Sequence, residues 1–257
     1  MRKTTFLGIF ILFFSILNAN FLFFNNDQSK KTLRIGVVTN SNLEILKFIK
    51  NKFKDEEFEL EIIEYSDYIQ SNSDLLEGII DVNYSQNRDI LNLYNIEHNT
   101  NIVSYGEVYF EKMGIYSKKY KSIKEFKNIV IAIPNIESNK IRALKLLEST
   151  GLISLTKEYQ IVENPRNISF LEISPKYLLR VMDQADAIVA NGNEILQRRG
   201  AALESALYLE EYDKRYINVL AGKYKSKKRK QIKRLYELLK SNEVKNMIGK
   251  KYKGIII

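Results

Sequence analysis

Apolar and polar positions along this chain switch repeatedly between a period of two and a helical period. "KKTLRIGVV" carries a compact apolar run from Leu33 to Val38, the signature of a buried strand. "SNLEILKFIKNKF" follows with Leu46, Ile49 and Phe53 at helical spacing, and Ser41 or Asn42 is the expected cap. "FELEIIEYS" alternates as a strand, "DYIQSNSDLLEG" reads as a helix or turn-helix, and "IIDVNYS" as a third strand. Strand, helix, strand, helix, strand is the order of a parallel α/β unit. The first elbow, "TNSN", lacks the glycine pattern that cradles a dinucleotide.

A long extended stretch, "IVSYGEVYFEKMGIYSKKY", separates this unit from a second one. There "NIVIAIPN" predicts a strand, "SNKIRALKLLES" a helix, "ISFLEIS" a strand, "PKYLLRVMDQ" a helix with Pro175 in its first turn, and "ADAIVAN" a strand. A second extended piece, "YINVLAGKY", leads into basic helices. Two α/β sets joined by extended connectors predict two lobes. Ligands of such sheets sit at the carboxyl ends of the strands, where polar elbows meet.

Charge and composition narrow the function. Of the net charge of +9, residues 206–257 contribute fifteen Lys or Arg against five Asp or Glu, a net of +10, so residues 1–205 sum to −1. The excess is densest in "KYKSKKRKQIKR", yet Ile232, Leu235, Tyr236 and Leu239 form an apolar stripe there. A solvated helix face is favoured over nucleic-acid binding, with weak attraction to an anionic membrane surface as a middle reading. There is no cysteine, and the single histidine, His98, lies in a polar run where a solvated loop position is expected. Disulfides, thiolate sites and a histidine-rich metal site are excluded; no cofactor or metal is expected.

The first residues, "MRKTTFLGIFILFFSILNANFLFF", pair Arg2 and Lys3 with an apolar run from Phe6 to Leu17. This is a secretory signal pattern, and Phe21 to Phe24 extends it toward bilayer-spanning length. Residues 1–24 are read as a signal segment or a retained anchor, with the remainder extracytoplasmic.

Three polar elbows follow apolar strands: Asn83 to Asn87, Pro134 to Asn139, and Ala190 to Glu194. Arg142 lies one turn into the helix after the second. A helix N-terminus favours an anion, and an arginine there offers a planar fork to a carboxylate, while Glu137 is placed to take an ammonium. Pairing of Arg142 with Glu137 for structure, or exposure of its tip to solvent, is the competing reading. An arginine held for a ligand would be an excess cation in the empty cleft; one held for structure would have a protein partner.

The segments "SDYIQSN", "DVNYSQN", "MGIYSKKYKSIKEF", "IPNIESNKIRALKLLESTGLI", "IVENPRNISFLEI", "ANGNEIL" and "SNEVKNMIGKKYKG", in this order and spacing, resemble the NlpA/MetQ family, the methionine-binding proteins of ABC importers. The similarity runs from about Leu33 to Ile257. It implies a two-lobe type II periplasmic-binding-protein fold, with two α/β lobes joined by two crossover segments. Residues 32–111 would open lobe I, residues 112–205 form lobe II, and residues 206–257 supply the return crossover and the basic helices of lobe I. By motif position, the family's carboxylate-binding Asn-x-x-Arg falls on Asn139 and Arg142, its strand-ending asparagine on Asn191, and its tyrosines on Tyr68 and Tyr84. Asn87 falls on the last position of the family's N-Y-F-Q-H element and is counted with the ligand-binding set.

The resemblance implies capture rather than catalysis. A small zwitterion, methionine or a relative, would bind between the lobes as a monomeric carrier closes. It would then be delivered to an ABC permease and its ATPase at a membrane surface, with no role for nucleic acid. The alternative is a membrane-anchored surface interaction protein of the same descent that has lost tight binding. The chain departs from the family at Ser85 and Asn87, where an aromatic and a histidine are usual, and at Glu194, where tyrosine often follows N-G-N. It also lacks the usual lipobox cysteine.

Overall fold

A computed structural model describes residues 31–52, 58–196, 206–252 and Ile256. The leader and Phe53 lie outside the described residues. The first half builds β1 (Lys31–Val37), α1 (Asn40–Lys52), β2 (Phe58–Glu64), α2 (Tyr68–Glu77), β3 (Val82–Asn87), α3 (Arg88–Glu97) and β4 (Ile102–Phe110). The second builds β5 (Met113–Tyr116), β6 (Val130–Pro134), α4 (Glu137–Ser149), the small strands β7 (Ser154–Leu155) and β8 (Ile161–Glu163), β9 (Ser169–Ile173), β10 (Ala187–Asn191), the short α5 (Gly192–Leu196) and β11 (Tyr208–Leu209). The chain then returns through β12 (Ile217–Lys223) to α6 (Arg229–Leu239) and α7 (Asn242–Tyr252).

Ten of these strands form two five-stranded sheets, ordered β2-β1-β3-β12-β4 and β11-β5-β10-β6-β9, and β7 pairs with β8 alone. The fold is the mixed α/β, two-sheet architecture that the resemblance implied. β1, β2 and β3 run parallel, whereas β12 pairs antiparallel with both β3 and β4. Each sheet carries apolar clusters on both faces. In the first, Leu33, Ile35, Ile45, Leu46, Ile232 and Leu235 pack on one side and Leu75, Ile80, Leu91 and Val219 on the other. This double coverage is why the strands read as near-continuous apolar runs.

The connectors are short. Only Glu111 and Lys112 separate β4 of the first sheet from β5 of the second, and residues 210–216 carry the chain back from β11 to β12. The two crossings are neighbours: Glu210 N donates to Met113 O at 3.0 Å, and the Glu210 carboxylate also accepts from Met113 N.

The apolar stripe of the basic tail is buried as expected. Ile232, Leu235 and Leu239 are in the core, and the Tyr236 ring packs over Gly106, where an added Cβ would lie 2.3 Å from the ring. Glycine therefore stands in mid-strand because a ring occupies the space of its missing side chain.

Several expectations are corrected. Ser41 and Asn42 do not cap α1; both are buried inside it, and Thr39 caps instead, its Oγ1 accepting from Asn42 N at 3.4 Å. Asn42 is drawn inward because its Nδ2 donates to Tyr84 O and its Oδ1 accepts from the Tyr109 hydroxyl at 2.5 Å. "PKYLLRVMDQ" forms two short 3₁₀ turns, Pro175–Tyr177 and Arg180–Asp183, rather than one α-helix. They still bury Leu178 and Met182 against β10. Helix α3, which the pattern did not signal, starts at Asn87, whose side chain accepts from Ile90 N at 2.9 Å. His98 is exposed at the end of α3, its ring stacked on Tyr94 at 4.1 Å.

Candidate functional site

A cavity of about 370 Å³ opens between the two sheets' halves of the molecule. One wall comes from the elbow after β1 and the start of α2, including Thr39 and Tyr68; the other includes Ile136, the Ser174–Pro175 turn and Glu194. Its volume falls in the range of small-molecule sites. The elbows form its walls because each follows a strand at its carboxyl end, where helix starts leave backbone donors and polar side chains.

Tyr68, at the first residue of α2, is the expected site residue that faces this cavity directly. Burial first, then the charges of Glu194 and Glu111, push its hydroxyl pKa up, while Arg142 opposes them. These groups therefore share one electrostatic neighbourhood. Asn191 ends β10, opposite Met113 of β5, and its Oδ1 is buried with no hydrogen-bond partner. Asn139 is buried on α4, one turn before Arg142.

Tyr84 lies deeper. It is wholly buried in the core of the first sheet, edge-on to Tyr109 with centroids 6.2 Å apart, and its hydroxyl has no partner. The same strand supports an amide network in which Asn72 Oδ1 accepts from Asn83 Nδ2 and Gln86 Nε2, each at 2.8 Å, while Asn83 Oδ1 has no partner. Ser85 Oγ is spent on Gly36 O at 3.3 Å.

Of the seven expected residues Tyr68 alone lines the cavity; Tyr84, Asn139 and Asn191 are not among its lining residues, and Arg142 borders a separate hollow with Glu210 and Tyr216. Asn87 is used as the cap of α3. Glu137 is exposed and borders a separate hollow with Ile69 and Tyr94.

Arg142 differs from the excess cation expected of a ligand-binding arginine. It is 4% exposed and already has a protein partner. Its Nε donates to Glu210 Oε2 at 3.0 Å, its Nη2 bonds the other carboxylate oxygen, and the same nitrogen donates to Glu111 O at 2.7 Å. The guanidinium also lies 4.3 Å from the centre of the Tyr216 ring. The acid is Glu210 rather than Glu137.

Sequence reasoning passed over Glu111, Tyr109, Tyr116 and Glu210. Tyr116 is buried with an unpartnered hydroxyl whose pKa is raised by burial and by Glu111, Glu194 and Glu210. The available signal was position: Glu111 is an acid set in the apolar run "VYFEKMGIY", and such an acid in a connector is rarely buried without a task. Among the described residues there is no cluster of His, Cys, Asp and Glu able to hold a metal, and no helix long and apolar enough to cross a membrane.

Comparison with known proteins identifies the family. The model of the NlpA lipoprotein family matches residues 33–257. The chain is 30% identical to the methionine-binding lipoprotein MetQ of Bacillus subtilis, over 99% of this chain and 98% of that one. A nutrient-binding protein from Burkholderia cenocepacia, solved bound to methionine, superimposes with a TM-score of 0.79 at 32% identity, covering 88% of this chain and 98% of the other. An ABC transporter periplasmic substrate-binding protein from Coxiella burnetii superimposes with a TM-score of 0.81 at 28% identity, covering 88% and 99%. Together with the two-sheet fold and its cavity, these matches establish that the chain belongs to the NlpA lipoprotein family, whose relatives named here bind substrates rather than transform them.

Proposed function

We propose that this protein is the extracytoplasmic substrate-binding component of an ABC importer, capturing a small α-amino acid, methionine or a relative, between its lobes and delivering it to a membrane permease. The observation that carries this reading is the cavity between the halves, whose lining includes a buried acceptor that lacks a donor, Glu194 Oε2, with a second, Asn191 Oδ1, three residues earlier in the chain. Buried polar atoms are almost always satisfied, so orphans beside a cavity mark where a ligand's hydrogens belong. The ligand ammonium answers the Asn191 carbonyl. Its carboxylate is assigned to Asn139 and Arg142 by motif position, which requires the Arg142 fork to turn from Glu210 on binding; a charge-assisted bond contributes about 1.5–3 kcal/mol. Tyr68 closes over the side chain, and the paired crossings act as the hinge. The relatives, among them methionine-binding and periplasmic substrate-binding proteins, support both the ligand class and the compartment.

A second reading, a surface interaction protein that has lost tight binding, is favoured by one observation: the Arg142 fork is already filled by Glu210 and Glu111 O. Native mass spectrometry of the purified protein and calorimetry against the amino acids separate the two. A co-purified amino acid, or a dissociation constant in the micromolar range or below, supports capture. Absence of binding to every amino acid would overturn it in favour of the second reading.

A further inference from the structure

Glu194 is an acid in the cavity lining with one carboxylate oxygen left without a partner. It lines the wall contributed by the second sheet's half, and its Oε2 has no hydrogen bond and essentially no access to water. Among cations of the surroundings, Arg142 is committed to Glu210. Lys176, on the same wall, is exposed, with its Nζ 5.0 Å from the centre of the Tyr177 ring. Asn191, at the end of the strand leading into α5, adds a second bare acceptor, its Oδ1. The lining also carries donors, among them Thr39, Ser66, Tyr68, Ser174 and the exposed Lys176, but none of them bonds Glu194 Oε2. A carboxylate left unpaired and dry is strongly unfavourable, and a cation is the partner that offsets it best. A thioether offers no donor at all.

We infer that Glu194 is a specificity-determining residue, and that the ligand of this cleft is an amino acid whose side chain ends in a protonated nitrogen rather than in an apolar thioether. This rests on the amino-acid reading above, in which Asn191, Asn139 and Arg142 take the ligand's backbone groups and leave Glu194 for its side chain. Burial, followed by the nearby Glu111 charge, holds the Glu194 carboxyl well above the usual carboxylate range when no ligand is present. The ligand's cation would release that proton on entry. The position falls one residue beyond Asn193 of "ANGNE", on a short helix whose start is set by the β10 elbow, so a change here alters the pocket without altering the sheet.

The test is calorimetry at neutral pH with L-lysine, L-arginine and L-methionine on the wild type and on Glu194→Gln, with Glu194→Tyr as a second variant and a thermal melt of each to confirm folding. The inference expects lysine or arginine to bind at least tenfold more tightly than methionine. It also expects Glu194→Gln to weaken that binding at least tenfold while changing methionine less than threefold, and Glu194→Tyr to reverse the order. Methionine binding more tightly than both in the wild type would overturn the inference, even if neither variant folds. An equal loss for all ligands in Glu194→Gln would also overturn it, since Glu194 would then be holding the α-ammonium. If no amino acid binds, this inference fails together with the capture reading. If methionine binds and neither lysine nor arginine does, it fails alone.

Discussion

Arg142 and Glu210 meet in a two-point ion pair at the place where the chain crosses between its two sheets. Glu210 begins the return connector, and the same guanidinium bonds the carbonyl of Glu111 in the outward connector. One side chain from α4 thus ties together both connectors between the sheets. The pair is almost dry, with side-chain exposures of 4% and 9%.

That burial reverses what an excess cation would predict for Arg142→Ala. Removing the arginine leaves the Glu210 carboxylate buried and unpaired, which costs about 3–5 kcal/mol. For a chain of this size the ligand-free melting temperature should fall on the order of 10 °C. Glu210→Ala should be similarly harmful, and the double variant should be milder than the sum of the two. Differential scanning calorimetry of the three variants checks this. A ligand-free melting temperature unchanged by Arg142→Ala would mean that the pair contributes nothing to folding.

Glu194 should make the ligand-free protein less stable as pH rises. Its folded-state carboxyl titrates well above the usual 4.5, first because it is buried and then because of Glu111. Below that usual value both folded and unfolded chains hold the proton. Above it the unfolded chain releases its proton while the folded chain keeps it, so stability is lost as pH rises through the raised value. Glu194→Gln should therefore raise the melting temperature at pH 8 and leave it nearly unchanged at pH 4. Melts of wild type and variant across that range give the answer, and a difference that is flat with pH would sink the idea.

Asp81 should act in the opposite sense. Burial pushes its carboxyl up, but Arg34 and Lys228 outweigh burial and hold it below its ordinary value. Arg34 N and Lys228 Nζ each donate to its Oδ2 at 2.8 Å. Lys228 Nζ also donates to Thr32 O at 2.6 Å, so this cluster fastens the basic tail to β1. A depressed carboxyl stabilises fully above its usual value and loses that stabilisation as pH falls toward the folded value. Asp81→Asn should cost about 1–3 kcal/mol at pH 7. The deficit should shrink as pH drops below about 4. Urea titrations at pH 7 and pH 3 test both statements.

Ligand binding should compact a monomer. Only Glu111 and Lys112 on one side and residues 210–216 on the other join the sheets, so closure needs few backbone changes. Small-angle scattering with and without a ligand shown to bind should record a smaller radius of gyration at constant mass. An unchanged radius would remove the hinge from the mechanism.

Much of this protein was legible in its sequence because the information is local. Alternation in "FELEIIE", the apolar run of "LRIGVV" and the stripe of Ile232, Leu235 and Leu239 each follow from strand or helix periodicity, which neighbouring residues set among themselves. The motif order was enough to imply the two-lobe architecture. What the tertiary structure decided concerns partners far apart in the chain. Nothing near Arg142 in sequence announces Glu210, which is 68 residues away, and Glu137, the local candidate, turns to solvent instead. Ser41 and Asn42 looked like caps because small polar residues favour helix starts. They are interior because Tyr84 and Tyr109, brought in by two other strands, supply their hydrogen bonds. Asn87 looked like a ligand contact and became the cap of a helix with little local signal. Periodicity states which face of an element is buried; it carries no information about which distant charge or donor will meet that face, because that meeting depends on the packing of the whole chain.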